Sequence, residues 1–400
     1  MGRNLARRAG PRVTLYSHDT QGLGEGEVAP HVTEALAGEH ECTVLLISGA
    51  REAGVFPMPD GVDCLALPAI DKSLDGRYRP RSLALSLQQL LHVRAETIKA
   101  AVESFEPDVL VADKVPLGLG SELQPALELL HDRGGCRMAL GMRDVLDHPE
   151  AVRREWRDDG SAEALRRYYD AIWVYGDARV YDPVIEYGLP PDLAAMVSFT
   201  GYIDRRAAES GLPAGDDEIE LPGAPFSLCL VGGGQDGYAL ADCFVTAALE
   251  RDAPALVVTG PFMPPMQRRR LVRRIEHTAR VRVVEFAHGL DTLIDCAQRV
   301  VAMGGYNTVC ELVARSQRAL IVPRVRPREE QLIRAQRMSD LGLLEVLHPD
   351  ALSAAALGDW LERGPAPRPR VQLDLGGLTR VPRLVGELLS PPSRKPAHAA

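Results

Sequence analysis

The sequence predicts an α/β protein made of two doubly wound domains that face each other across a cleft. Three observations predict this. The chain has 400 residues, more than one hydrophobic core ordinarily organises, so two domains of roughly 150–200 residues are expected. Short runs rich in Val, Ile and Leu alternate with segments of helical period almost from end to end, the pattern of parallel strands covered by helices on both faces. That rhythm lapses once, between Asp204 and Pro225, where RRAAESGLPAGDDEIELPGAP offers Pro, Gly and acidic residues but no sustained period.

The organisation that follows is a flexible basic N-terminus over 1–11, a Rossmann-like domain over 12–203, a linker over 204–225, a second Rossmann-like domain over 226–389 and a flexible tail over 390–400. In the first domain the expected strands are Val13–Ser17, Cys42–Ile47, Val62–Leu67, Asp108–Ala112, Arg137–Gly141 and Ala171–Tyr175. A long helix over about Arg81–Phe105 would place Leu83, Leu87, Leu90, Leu91 and Ile98 on one stripe. In the second domain strands are expected at Ser227–Val231, Ala255–Thr259, Val281–Phe286, Arg299–Met303 and Ala319–Val322. Helices are expected over Tyr238–Glu250, through a basic segment to about Arg280, and from Asn307 and Arg328.

Composition narrows the partners. The chain is 46% hydrophobic and 25% charged, with 55 acidic against 46 basic residues and a net charge of −9, so nothing draws it as a whole to nucleic acid or anionic lipid. An anion must be bound locally. The seven cysteines are scattered singly with no CxxC pair, which fits free thiols in a reducing compartment. No run reaches the ~18–20 apolar residues of a membrane span, and the basic start leads into no signal-peptide apolar segment, so a cytoplasmic protein is expected. Arg3, Arg7, Arg8 and Arg12 could give weak peripheral contact with acidic lipid, although a solvated terminus explains them as well.

Two glycine-rich loops sit where an open parallel sheet binds ligands, between a strand's carboxyl end and a helix N-terminus. One is Val231-Gly232-Gly233-Gly234-Gln235-Asp236-Gly237; the other is Gly304-Gly305-Tyr306-Asn307-Thr308. Glycine lets the backbone approach an anion with no Cβ in the way. In the second loop Asn307 or Thr308 can cap the helix, and Glu311 lies one turn on, placed to accept from ribose hydroxyls behind a diphosphate. Gly-Gly between strand and helix is also ordinary turn chemistry, and the pair of loops is what favours a nucleotide. There is no GxxxxGK[ST] loop, and the turn after Val13–Ser17 lacks GxGxxG, which argues against a P-loop NTPase and a nicotinamide dehydrogenase.

The segment MGGYNTVCELVARSQRALIVPRVRPREEQLIRAQRM resembles the family 28 glycosyltransferases, the MurG-like group of the GT-B superfamily. The likeness extends over most of the chain through YSHDTQGLG, ADKVPLGLG, GMRDVLD and GPFMP, where it resembles a bacterial subgroup of predicted glycosyltransferases. The resemblance implies that Gly304, Gly305, Asn307 and Thr308 face a diphosphate and Glu311 binds ribose. It implies that backbone around Phe286 and Ala287 reads the base, and that Glu330 and Gln331 reach sugar hydroxyls. Gly233, Gly234 and Gln235 would line the phosphate side. No metal or cofactor is implied, because a helix dipole and nearby donors stabilise the leaving diphosphate. Arg324, Arg326 and Arg328 alternate after a strand, where Arg324 could assist the diphosphate; a solvated face is the plainer reading.

The first domain departs from the family. Where the resembling proteins carry GxGH, this chain reads Asp19-Thr20-Gln21-Gly22-Leu23-Gly24-Glu25, with Glu25 at the expected His. Glu25 or Asp19 could serve as the base that deprotonates an acceptor hydroxyl, or the loop, with Gly22 and Gly24, merely closes over substrate. Asp113, Lys114, Arg143 and Asp144, at strand ends, suit the acceptor side of the cleft, although a strand-end Asp is as often a helix cap. His18, His31 and His288 read as structural. The function expected is an inverting, metal-independent transfer of sugar from a nucleotide-diphospho-sugar, UDP-linked, to an unidentified acceptor. The alternatives are a nucleotide-sugar 2-epimerase or hydrolase, and a catalytically silent binding protein.

Overall fold

The computed structural model describes residues 10–18, 32–33, 35–38, 42–50, 58–72, 78–204, 206, 221–222, 225–287, 289–364 and 368–390. The terminal segments, most of the linker, and Asp19, Gly22, Gly24, Glu25, His31 and His288 lie outside the described residues.

The first sheet holds β1 (Arg12–Ser17), β2 (Thr43–Ser48) and β3 (Val62–Ala66). After a short antiparallel hairpin, β4 (Ile70–Lys72) and β5 (Tyr78–Pro80), it continues with β6 (Val109–Asp113), β7 (Arg137–Arg143), β8 (Ala171–Tyr175) and β9 (Val197–Phe199). Seven strands run in the order β3-β2-β1-β6-β7-β8-β9, all parallel. The second sheet holds β10 (Ser227–Leu230), β11 (Ala255–Val258), β12 (Val281–Val284), β13 (Arg299–Ala302), β14 (Ala319–Ile321) and β15 (Glu345–Val346). Its six parallel strands run β12-β11-β10-β13-β14-β15. Strands such as VLVA and ALVV are buried along their length, which is why they read as continuous apolar runs rather than as an alternation.

Helices cover the first sheet: α1 (Leu87–Phe105), α2 (Gln124–Arg133), α3 (Pro149–Asp158) and α4 (Ser161–Tyr168). The second has α5 (Tyr238–Glu250), α6 (Pro265–Arg274), α7 (Leu290–Cys296), α8 (Tyr306–Ala314), α9 (Glu330–Asp340) and α10 (Ala354–Glu362); α11 (Gly377–Leu389) is the last helix among the described residues. α1 begins six residues after the expected Arg81, because Ser86 and Gln89 form a reciprocal capping box there. Leu83, expected on its core stripe, lies outside the helix and is half exposed; the buried face is Leu90, Arg94, Ala95, Ile98 and Val102. The basic helix α6 stops at Arg274, short of Arg280.

One apolar cluster runs through both sheets without interruption, from Val13 and Val109 by way of Tyr202 and Phe226 to Val300 and Tyr306. α11 packs back onto β6 of the first sheet. Its approach is fixed by Tyr202 N–H donating to the Asp374 carbonyl at 2.8 Å and by Arg380 Nη1 donating to the Thr200 carbonyl at 2.6 Å. Among the described residues no helix is long and apolar enough to cross a membrane.

Candidate functional site at the interdomain cleft

Each sheet has one place where successive connections wind to opposite sides, and ligands gather at the carboxyl ends of the strands there. In the first sheet it lies between β1 and β6, paired from Val13↔Val109 to Tyr16↔Ala112, so His18 and Asp113-Lys114 emerge together. In the second it lies between β10 and β13, paired from Ser227↔Arg299 to Leu230↔Ala302, so the loops 231–237 and 303–305 emerge together. The two glycine-rich loops therefore form one surface.

The second loop shows two glycines with different reasons. Gly304 has φ +81°, and a Cβ there would stand 2.5 Å from Ile321 Cγ2: packing and backbone both require glycine. A Cβ on Gly305 would meet nothing within 4 Å. Gly305 is the N-cap of α8, with φ −55° and ψ 151°, and its carbonyl accepts the first helical bond, from Val309 N–H at 3.0 Å. The structure differs from the cap expected at Asn307 or Thr308: both lie inside the first turn, and among the described residues no side chain caps the helix. The opening N–H groups of α8, with the positive end of its dipole, remain for an anion. Glu311 is buried one turn on, at 5% exposure.

In the first loop Gly234 has φ +91° and its Cβ would lie 2.0 Å from the Thr259 carbonyl oxygen, while one on Gly260 would lie 2.1 Å from the Gly232 carbonyl oxygen. The GPFMP segment is wedged against this loop, with Phe262 N–H donating to the Gly233 carbonyl at 2.9 Å. Gly234 is buried by that packing, whereas Gly233 and Gln235 are exposed. Phe286 is half-buried just beyond β12, beside buried Ala287.

The start of α9 completes the second-domain wall. Arg324 Nη2 donates to Glu330 Oε1 at 2.7 Å, Arg324 N–H donates to Gln331 Oε1 at 2.9 Å, and Arg324 Nη1 lies 3.8 Å from Asp236 of the first loop. Arg326 is exposed, and Arg328 reaches across to Asp147 and Glu155 of the first domain at 3.5 and 2.8 Å. Burial alone would raise the Glu330 carboxyl, but Arg324, Arg334 and Lys114 outweigh it and hold it below its ordinary value. Lys114, expected on the acceptor side, therefore acts on a residue expected to hold the donor sugar. Among the described residues, Glu330 Oε2 and Arg324 Nε are buried without a hydrogen-bond partner, capacity that a polar ligand can use.

Behind this wall lies a buried cluster that joins the domains. Arg334, one turn after Glu330 on α9, donates to Asp144 from Nε at 2.9 Å and Nη2 at 2.7 Å. Both side chains are almost wholly buried. Tyr202 donates to Asp144 Oδ2 at 2.7 Å, and Tyr306, the first residue of α8, donates to the Tyr175 carbonyl at 2.8 Å. Arg143 and Arg334 stand over the Tyr306 ring at 5.6 and 5.4 Å. Arg334, Tyr202 and Tyr306 carried no assigned role in the sequence; a buried arginine one helical turn from Glu330 is the signal that periodicity cannot separate from a solvated one.

A cavity of about 460 Å³ opens on the first-domain side, lined by His18, Lys114, the Gly118–Ser121 turn, Asp147 and Arg328. His18, buried at 7% exposure where β1 ends, lines this cavity, a place that a structural histidine and a functional one can both occupy. Asp113 and Arg143 end β6 and β7 on the same side.

No protein-family model and no curated protein matches the chain by sequence. Solved structures match its shape. MurG of Acinetobacter baumannii superposes with a TM-score of 0.58 at 14% identity, covering 94% of this chain and 99% of that one. A protein assigned as a UDP-N-acetylglucosamine 2-epimerase, from Listeria monocytogenes, gives 0.65 at 13%, covering 98% and 100%. Phytolacca americana UGT2, complexed with UDP-2-fluoro-glucose and pterostilbene, gives 0.59 at 14%, covering 95% and 94%. The chain has the GT-B fold.

Proposed function

We propose that this chain is an inverting, metal-independent glycosyltransferase that takes a nucleotide-diphospho-sugar, UDP-linked, and transfers the sugar to an acceptor hydroxyl. The observation that carries the reading is the start of α8: a helix with no side-chain cap, preceded by a glycine whose side-chain direction is open, in the same wall as Arg324, Glu330 and Gln331. Such a start neutralises a leaving diphosphate through fixed N–H groups and dipole, with no reorganisation at the moment of reaction. Asn307 and Thr308 would supply backbone donors to that diphosphate, Arg324 its Nε, and Gly233 and Gln235 the opposite edge, on a turn that the packed Gly234 makes possible. Glu311 would meet the ribose and the backbone at Phe286 the base. Glu330 and Gln331 would hold the sugar hydroxyls.

The first domain would bring the acceptor through Gly22, Gly24, Asp113, Lys114 and Arg143, with Glu25 or Asp19 as base. A carboxylate takes the acceptor hydroxyl proton, the oxygen attacks the anomeric carbon opposite the diphosphate, and the bond from that carbon to the phosphate oxygen breaks. His18 is a third candidate, carried by its place in the cavity. A nucleotide-sugar epimerase or hydrolase is the second reading, favoured by the 0.65 TM-score of the epimerase-assigned neighbour.

A thermal-shift panel of UDP, GDP, TDP and their sugars tests the donor site. A ligand at a hundred times its Kd adds about 2.7 kcal/mol to stability, and no shift with any of them would refute a nucleotide site. Products then separate the chemistries: a new sugar nucleotide without acceptor means an epimerase, free sugar means a hydrolase, and neither without acceptor is expected of a transferase. Loss of transfer in Glu25→Gln, Asp19→Asn or His18→Ala, with donor binding kept, identifies the base.

A further inference from the structure

The helix α6 has no part in the cleft, and its charge is unlike that of the chain. In a protein of net charge −9, PMQRRRLVRR carries Arg268, Arg269, Arg270, Arg273 and Arg274 and no carboxylate. Leu271 is its one buried residue. At 3.6 residues per turn, Met266, Arg269, Arg270 and Arg273 stand at i, i+3, i+4 and i+7, a single stripe on the face away from Leu271. All four are exposed, Met266 at 63%, and Val272 on the flank is exposed at 41%.

The flanking arginines are engaged within the fold. Arg268 pairs with Glu285 at 2.7 Å, and Arg274 with Asp242 and the Thr246 hydroxyl. Among the described residues no carboxylate lies within ion-pair distance of Arg269, Arg270 or Arg273. Arg269 and Arg273 repel at i, i+4 and Arg270 and Arg273 at i, i+3, a local cost set against the favourable place of Arg273 and Arg274 in the last turn. No acidic residue in the first turn complements the dipole. A helix that only had to be solvated would intersperse both signs; an anionic partner offsets the repulsion.

We propose that this face of α6 docks on an anionic phospholipid membrane. Guanidinium groups take lipid phosphates through paired N–H donors, and an exposed methionine at the head of the stripe, with Val272 beside it, suits the boundary between headgroup and acyl chain. The stripe has no aromatic residue on which a base of a single-stranded polynucleotide could stack. The proposal is independent of the transfer reading, because none of these residues lines the cleft.

Co-sedimentation of the full chain with phosphatidylcholine vesicles, with and without phosphatidylglycerol, tests it. Binding is expected only with the anionic lipid and is expected to weaken as salt rises. The Arg269→Gln/Arg270→Gln/Arg273→Gln variant is expected to lose about a hundredfold in partitioning, the effect of three membrane-facing arginines, with nucleotide binding unchanged and a melting temperature no lower than that of the wild type. Arg274→Gln, which removes one charge from the flank, is expected to keep most of the binding, whereas Arg270→Gln, which removes one from the stripe, is expected to lose about fivefold. Equal sedimentation with both vesicle types, or a triple variant that binds like the wild type, would overturn the proposal. So would retention by a polynucleotide or an acidic protein, but not by the vesicles.

Discussion

Gly234 and Gly305 are both glycines of a phosphate-type loop, yet their surroundings separate a packing requirement from an open approach. Gly234→Ala sets a Cβ 2.0 Å from the Thr259 carbonyl oxygen at a positive φ, so a loss of roughly 2–4 kcal/mol is expected in denaturant unfolding. Gly305→Ala meets nothing within 4 Å; its stability should change by less than about 0.5 kcal/mol, while UDP binding, followed by calorimetry, should weaken about tenfold. Equal stability losses in the two variants would contradict this division. Glu330 gives a pH test. Arg324, Arg334 and Lys114 hold its folded value below the ordinary carboxyl range, so its contribution is present above the unfolded value and is lost as pH falls through the lower folded one. Melting temperatures of wild type and Glu330→Gln should therefore differ at neutral pH and converge only in acid below about pH 4.5.

At the scale of elements, α8 and α9 are tied to the first sheet by the same cluster that stands behind the donor wall. Removing one member of a buried pair leaves the other charge unpaired, so Asp144→Asn is expected to cost about 3–5 kcal/mol. Replacing both, as Asp144→Leu with Arg334→Met, should regain much of that loss. A double variant no more stable than Asp144→Asn would show that packing around Tyr202 and Tyr306, not charge, sets the cost. Tyr306→Phe takes the hydroxyl from the Tyr175 carbonyl and should cost about 1–2 kcal/mol by the same measurement. The hairpin of β4 and β5 and the short β9 and β15 escaped sequence patterning for a different reason. Strands of two or three residues are too short to show a period.

Across the whole molecule, one apolar cluster joins the two sheets and α11 returns to the first of them. Calorimetry should accordingly show one unfolding transition, and a nucleotide bound at α8 should raise it as a unit. Two transitions, only one of them shifted by ligand, would mean that the cluster does not couple the sheets.

The α/β class, the parallel strands of four residues or more and the two glycine-rich loops are legible in the sequence, because these follow from local period and from the backbone freedom of glycine. That Gly234 answers to packing while Gly305 is open comes from the folded chain, since it depends on Thr259, which is distant in sequence. The fold likewise decides that Lys114 bears on Glu330 and that Arg334 is buried against Asp144, 190 residues away. His18 in the cavity belongs to the same class. Periodicity registers which face of an element is apolar, but a polar side chain takes its role from the groups that the fold sets opposite it, and no local pattern encodes that neighbour.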